Sequence, residues 1–241
     1  MSMMMHFKIF MKRMEDYLFP PRLAFYLKRL GKGKFYSLNK LDQQLLEFID
    51  YENGYFVELG ANDGITQANT AHFEKHKGWS GLLIEPIPSK FLECVRNRSD
   101  KNHFVCGACV GFDYKEKFVE LIYSDLMTIS KELSGRDDAE EHAEKGLNVM
   151  KSHETNFTFG AKAYTLTSLL KEARAPQSID LLSLDVEGAE LEVLKGIDFE
   201  TYDFKYMLIE CWDKDGITQF LKEKGYKVAK QLSRHDYLFS K

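Results

Sequence analysis

The chain has 241 residues, enough for one full α/β domain with additions and too few for two ordinary domains and a linker. At 44% hydrophobic and 29% charged its composition is that of a soluble globular protein, and no run approaches the roughly 18 uncharged apolar residues of a membrane span. The net charge of −4 hides an asymmetry: residues 1–40 hold nine Lys/Arg against Glu15 and Asp16, so that segment is about +7 and the remainder about −11, a balance that argues against a nucleic-acid substrate gripped through its phosphates.

In chain order, "MSMMMHFKIFMKRMEDYL" has charges inside its apolar run and no small-residue cleavage site, so it does not read as a signal peptide and a cytoplasmic location is expected. Phe7, Phe10, Met11, Met14 and Leu18 fall at helical spacing, and Pro20-Pro21 stops that helix. A second stripe, Leu23, Tyr26, Leu27 and Leu30, ends at "GKGK"; a third, Leu41, Leu45, Phe48 and Ile49, ends near Asn53-Gly54. These three helices form an N-terminal helical extension over residues 1–50, ahead of a domain at 51–241. Basic amphipathic helices either lie on a membrane surface or pack on their own domain, so peripheral membrane contact is one expectation here.

From residue 55 short apolar runs alternate with amphipathic stretches. The runs are "YFVELG" (55–60), "GLLIEP" (81–86), "HFVCGACV" (103–110), "IDLLSLDV" (179–186) and "YMLIECW" (206–212). Helix-like segments lie near 67–77, 88–98, 164–174, 187–196 and 215–224. Short apolar strands flanked by helices predict a parallel sheet covered on both faces. The chain closes with "YKVAKQL" and "DYLFSK", an antiparallel hairpin. Two stretches break the alternation: "EKFVELIYSDLMTIS" (116–130) reads as strand pairs, and the charged insertion at about 131–160 as a lid or mobile loop. Of the four cysteines, Cys106 and Cys109 form a lone CxxC with no second pair at zinc-site spacing, which predicts packing.

Chemistry concentrates at strand ends. "VELGANDG" ends the first strand, where ligands of doubly wound sheets bind. Gly60 and Gly64 allow a tight turn, but the spacing is GxxxG, with Asn62 where a dinucleotide fingerprint has its middle glycine. A pyrophosphate here would stand beside Asp63, a repulsion of roughly 1–4 kcal/mol at 4 Å. S-adenosylmethionine (AdoMet) has no phosphate and carries a sulfonium and an ammonium, so an acidic turn suits it better. Glu85 ends the second strand, where a carboxylate accepts both ribose hydroxyls of an adenosine, in AdoMet and NAD alike. Asp185 follows the buried run "LLSL" and needs a partner if ionised there; Glu187 reads either as a site residue or as the cap of a helix starting near Gly188.

"FVELGANDG", "NTAHFEKHKGWSGLLIEPIP" and "IDLLSLDVEGAELEVLKG" together resemble the FkbM-type AdoMet-dependent methyltransferases, in order and spacing, over roughly residues 41–212. The resemblance implies an α/β fold, a doubly wound seven-stranded sheet of the class I methyltransferase type with its last strand antiparallel, and methyl transfer to a hydroxyl, commonly on a sugar or a sugar-containing small molecule. Carried onto this chain, Glu58, Gly60, Ala61, Asn62, Asp63 and Gly64 would form the methionine-side pocket with Asn69 beside it. Glu85, followed by Pro86, would clamp the ribose, and Asp185 and Glu187 would match the family's Asp-x-Glu-Gly motif near the transferred methyl.

In-line displacement places acceptor oxygen, methyl and sulfur on one line, and an unactivated alcohol must lose a proton. Asp185, Glu187 and Glu210 (in "LIECW") are the candidate bases, all at predicted strand ends on one edge; they could instead hold a divalent cation that acidifies the hydroxyl. His142 and His153, in the insertion, are alternative bases if it closes as a lid. His72, His76, Phe73 and Trp79 read as packing. The turn Asp185-Val-Glu-Gly lacks the prolines and aromatic of base-nitrogen methylation, and no proline precedes a cysteine, so a nucleic-acid acceptor is not expected. Two further readings stay open: an NAD-dependent oxidoreductase on a similar sheet, opposed by Asp63 and the missing glycine, and a non-catalytic AdoMet-fold binding module docked through the basic helices.

Overall fold

The structure is a computed structural model that describes residues 34–134, 139–146 and 155–241. The expected helices over 7–18 and 23–30, and His153, lie outside the described residues. The chain divides into two compact units, Met1–Phe35 and Tyr36–Lys241. The second begins well before residue 50, because Leu41, Leu45 and Ile49 are buried in the same cluster as Phe56, Phe73 and Trp79.

Its elements are α1 (Leu41–Leu45), β1 (Tyr55–Leu59), α2 (Ala71–Lys77), β2 (Ser80–Glu85), α3 (Pro88–Asn97), β3 (His103–Cys106), β4 (Ala108–Cys109), β5 (Phe118–Ile122), α4 (Ala139–Gly146), β6 (Thr158–Tyr164), α5 (Leu166–Glu172), β7 (Ser178–Leu184), α6 (Glu190–Lys195), β8 (Asp203–Glu210), α7 (Lys214–Glu223), β9 (Lys227–Gln231) and β10 (Asp236–Ser240). The main sheet has seven strands in the order β3-β2-β1-β7-β8-β10-β9. β3, β2, β1, β7 and β8 pair in parallel, and β10 runs antiparallel to both β8 and β9. The doubly wound sheet with a reversed last strand is therefore present.

Side-chain alternation along β1 builds both core layers. Val57 and Leu59 join Leu82, Ile84, Leu182 and Leu184 against Leu166, Leu169, Val193, Ile217 and Leu221 of α5, α6 and α7. Phe56 points the other way, to Leu83, Leu181 and Leu208 beneath Leu41, Leu45, Phe73 and Cys94 of α1, α2 and α3. Each fully buried side chain of this kind contributes roughly 1.5–3 kcal/mol. Trp79 belongs to this layer, stacked on Tyr51 and donating its indole N–H to the Tyr51 carbonyl.

Two expectations are corrected. The run 103–110 is two strands in different sheets. Gly107 is the break: a Cβ there would lie 2.7 Å from the Tyr164 ring and 2.8 Å from the Lys162 carbonyl, so the chain crosses too close to β6 for any side chain. Cys106 and Cys109 therefore sit in different sheets as free thiols, and burial raises the pKa of both. Residues 116–130 hold one strand and a short 3-10 turn (Asp125–Met127), not locally paired strands. β5 pairs antiparallel with β6, and inside 116–130 only the bridge Ile122↔Ile129 forms. Val119 and Leu121 are buried with Ala161 and Val110, contacts that local pairing cannot supply. In the 131–160 stretch, the described part holds α4 and the start of β6, so it carries secondary structure of its own.

Candidate active site

A cavity of about 750 Å³ opens at the carboxyl ends of β1, β2, β7 and β8, the switch point of the strand order. Gly60, Asn62 and Asn69 line it after β1, Glu85 and Pro86 at the end of β2, Asp185 and Glu187 after β7, and Glu210 at the end of β8. Leu38, Asn39 and Leu41 form one side and Leu121–Leu133 much of another. The 36–41 segment is held there by buried Asp42, which accepts hydrogen bonds from the Tyr36 amide (2.6 Å) and the Ser37 hydroxyl (2.7 Å), and by a bridge between Ser37 and Gln67.

Glu58, Ala61, Asp63 and Gly64 are not among the lining residues. Glu58 lies inside β1, so its side chain goes to a face of the sheet and not past its end. Its carboxylate accepts hydrogen bonds from the Asn69 and Thr70 amides (2.9 and 3.2 Å) and the Thr70 hydroxyl (2.7 Å), and it pairs with Arg98 at 3.1 Å. Asp63 is buried and accepts from the Ile65 and Thr66 amides and the Thr66 hydroxyl. Both acids build the loop around the turn. They also explain why α2 starts at Ala71 and not near Gln67: the amides of Ile65, Thr66, Asn69 and Thr70 are committed to carboxylates, and Gln67 takes a φ of +57°. Gly60 itself is required by close approach, since a Cβ there would lie 2.0 Å from the Asp185 carbonyl.

Glu85 is buried, with one oxygen accepting from the Asn62 amide (2.7 Å) and the other from the Ile87 amide (2.8 Å). Burial raises its pKa to about 7, against the lowering effect of those amides. Beside it, the side-chain oxygens of Asn62 and Asn69 are buried acceptors without a hydrogen-bond partner, while the Asn69 amide nitrogen donates to Ser183. Unfilled acceptors on a cavity wall suit a cationic donor such as an ammonium.

Across the cavity, Asp185, Glu187 and Glu210 each bring an oxygen within 4.8 Å of the others. Asp185 keeps an open face to the cavity, yet its pKa stands well above the usual carboxylate range. Burial of its remaining sides raises it, followed by the charges of Glu210, Glu187 and Glu190 and a hydrogen bond with Glu210. The Trp212 indole N–H donates to Glu210 at 3.0 Å. Glu187 does not cap a helix: it has a φ of +55° and α6 starts three residues later. The turn is organised by Glu190, which the sequence reading passed over. It is buried, accepts from the Val186 and Gly188 amides (3.2 and 3.0 Å), and burial lifts its pKa to about 7. The signal was in "DVEGAE", a second glutamate three positions after the first. His142, on α4, does reach this end of the site, with its Nε2 3.0 Å from a Glu187 oxygen.

A pH dependence follows. The folded pKa of about 7 for Glu85 and Glu190 lies above their ordinary 4.5, so the folded state holds more protons between those values. Their stabilisation is fully present below about pH 4.5 and lost as pH rises through about 7, roughly 3 kcal/mol for each group. Urea unfolding of the ligand-free protein is expected to give a free energy several kcal/mol lower at about pH 8 than at about pH 5. Equal midpoints at the two pH values would contradict it.

A sheet whose one reversed strand lies next to its edge, with a cavity at the switch point, is the class I methyltransferase fold. The methyltransferase FkbM domain matches residues 58–228, and the chain belongs to that family. A relative from Beauveria bassiana (strain ARSEF 2860), Methyltransferase 1, is 25% identical over 189 residues, 74% of each chain. Methyltransferase sdnD of Sordaria araneosa is 42% identical over 59 residues, and the match spans 23% of its length. Among solved structures, the chain is similar to the complex between the Haloferax volcanii Trm112 methyltransferase activator and the putative methyltransferase (TM-score 0.38, 12% identity, 78% of this chain and 68% of that one). It is also similar to the METTL16 MTase domain (TM-score 0.40, 13% identity, 82% and 63%). Among the described residues no helix is long and apolar enough to cross a membrane.

Proposed function

We propose that the chain transfers the methyl group of AdoMet to a hydroxyl on a sugar or a sugar-containing small molecule. The observation that carries this reading is the division of one acidic cavity into two unlike ends. At the β1–β2 end, Glu85 has lone pairs for a ribose diol and the free oxygens of Asn62 and Asn69 suit the amino-acid ammonium. AdoMet, when bound, supplies a methyl group made electrophilic by its sulfonium. At the β7–β8 end, Asp185, Glu187 and Glu210 face the space left for an acceptor. Burial and the neighbouring carboxylate charges raise the pKa of Asp185, so its ionised carboxylate is a stronger base toward a hydroxyl proton than an ordinary one.

The wall carries Glu85, Asp125, Asp185, Glu187, Glu210 and Asp236 against Arg234. An NAD pyrophosphate there would be repelled by roughly 1–4 kcal/mol per close pair, whereas a cationic nucleoside is attracted. Calorimetry with AdoMet and with NAD tests the cofactor. Heat with NAD at micromolar concentration and none with AdoMet would end this reading. S-adenosylhomocysteine release across glycan and metabolite hydroxyls then identifies the acceptor.

Asp185→Asn is expected to slow turnover by roughly 10²–10⁴-fold, the range of a lost general base, with the thermal midpoint unchanged or raised. An amide ends the crowding of like charges that now disfavours ionisation. Wild-type turnover in that variant would remove Asp185 from the chemistry.

A further inference from the structure

The acidic end of the cavity has a second feature that points to a ligand. The His142 side chain is 4% exposed, and its Nε2 has no hydrogen-bond partner although a Glu187 oxygen lies 3.0 Å away. At that distance the two pair as ions when the imidazole is protonated. Nor is the imidazole there by accident of a loose segment. The Ala143 carbonyl accepts from the Ser124 hydroxyl (2.6 Å) and the Asn156 side-chain amide (3.0 Å), and Ala143 packs with Ile129. The His142 ring also meets Trp212 edge-on at 5.8 Å, and Trp212 stacks on His235 at 4.9 Å.

We propose that Asp185, Glu187 and Glu210 bind a divalent cation of the hard, oxygen-preferring class, magnesium or manganese, with His142 as the outer partner that orients Glu187. Resting on the function proposed above, the cation would also orient and polarise the acceptor hydroxyl, whose proton passes to the Asp185 oxygen that does not hold the ion. Three carboxylate oxygens within 4.8 Å of one another match the spread of ligands around one ion at about 2.0–2.5 Å. All-oxygen donors select magnesium, manganese or calcium over softer metals. Ligating carboxylates are themselves held by hydrogen bonds. Glu210 already has such a donor in the Trp212 indole, and His142 becomes the donor for Glu187 once that side chain turns onto the ion.

The test uses the full chain after chelation, without AdoMet, titrated with manganese chloride while free Mn²⁺ is followed by electron paramagnetic resonance. One tightly bound Mn²⁺ per chain is expected, displaced by excess Mg²⁺. The Asp185→Asn/Glu210→Gln double variant should lose it. His142→Ala should weaken it by roughly 10- to 100-fold, as outer partners of metal ligands do. Glu187→Gln serves as the second variant should the double variant misfold, which circular dichroism reports. No bound Mn²⁺ at millimolar concentration, or undiminished binding in folded Asp185/Glu210 or Glu187 variants, overturns the site. Turnover indifferent to chelation and to added Mg²⁺ overturns its role toward the acceptor. AdoMet calorimetry keeps the two proposals apart: Mn²⁺ bound at this site without AdoMet binding would sink the transferase reading alone.

Discussion

Replacing Arg98 by Met is expected to lower the unfolding free energy by about 3–5 kcal/mol, the range for removing one partner of a buried ion pair. The Arg98 side chain is fully buried. It pairs with Glu58 at 3.1 Å and Glu74 at 2.7 Å, donates to the Thr70 hydroxyl at 2.8 Å and the Gly64 carbonyl at 3.3 Å, and lies over the Phe56 ring. Burial pulls its pKa down, and Glu58 and Glu74 more than reverse this, so the guanidinium stays charged. Methionine fills much of the volume but leaves two buried carboxylates facing each other without a cation. Urea denaturation measures the loss. Adding Glu58→Gln and Glu74→Gln should recover part of it, since the stranded charges are then gone. A loss below about 1 kcal/mol in the single variant would mean that water reaches this network, and that the glycine loop does not depend on it.

Glu85→Ala is expected to weaken AdoMet binding by roughly 2–4 kcal/mol, about 30- to 1,000-fold, because two charge-assisted hydrogen bonds to a ribose are lost in a buried site. The Asn62 and Ile87 amides also lose their acceptor, which loosens the turn that carries Asn62. Calorimetry on the wild type and the variant measures the change. With a pKa of about 7, Glu85 is the charged acceptor only above that pH, so wild-type affinity should rise between about pH 6 and pH 8. The alanine variant should lose that part of the rise. Equal affinity in the two proteins would put the ribose elsewhere.

How much was legible depended on whether a residue acts through its position along a strand or through partners distant in sequence. Gly60, Asn62, Glu85, Asp185 and Glu210 all stand at the ends of apolar runs, and a parallel sheet carries such positions to one edge whatever the details of packing. All five line the cavity. Glu58 and Asp63 are close to the same turn in sequence, but one points into a sheet face and the other folds back on its own loop. Nothing in "VELGANDG" distinguishes them, because the deciding partner of Glu58 is Arg98, 40 residues away.

The insertion was the least legible part. Its polar composition masks a helix held by single hydrogen bonds to Ser124 and Asn156, contacts with no periodic signature. Pattern along the chain determined the parallel strands and the closing hairpin, because burial of apolar runs can be read residue by residue, while the family and the reversed last strand followed from the resemblance of three motif blocks. Tertiary structure alone decided which carboxylates meet the cavity and which are neutralised in the core. It also brought His142 to Glu187. Charge pairing acts through distance in space, and the folded chain sets that distance only after the core has formed.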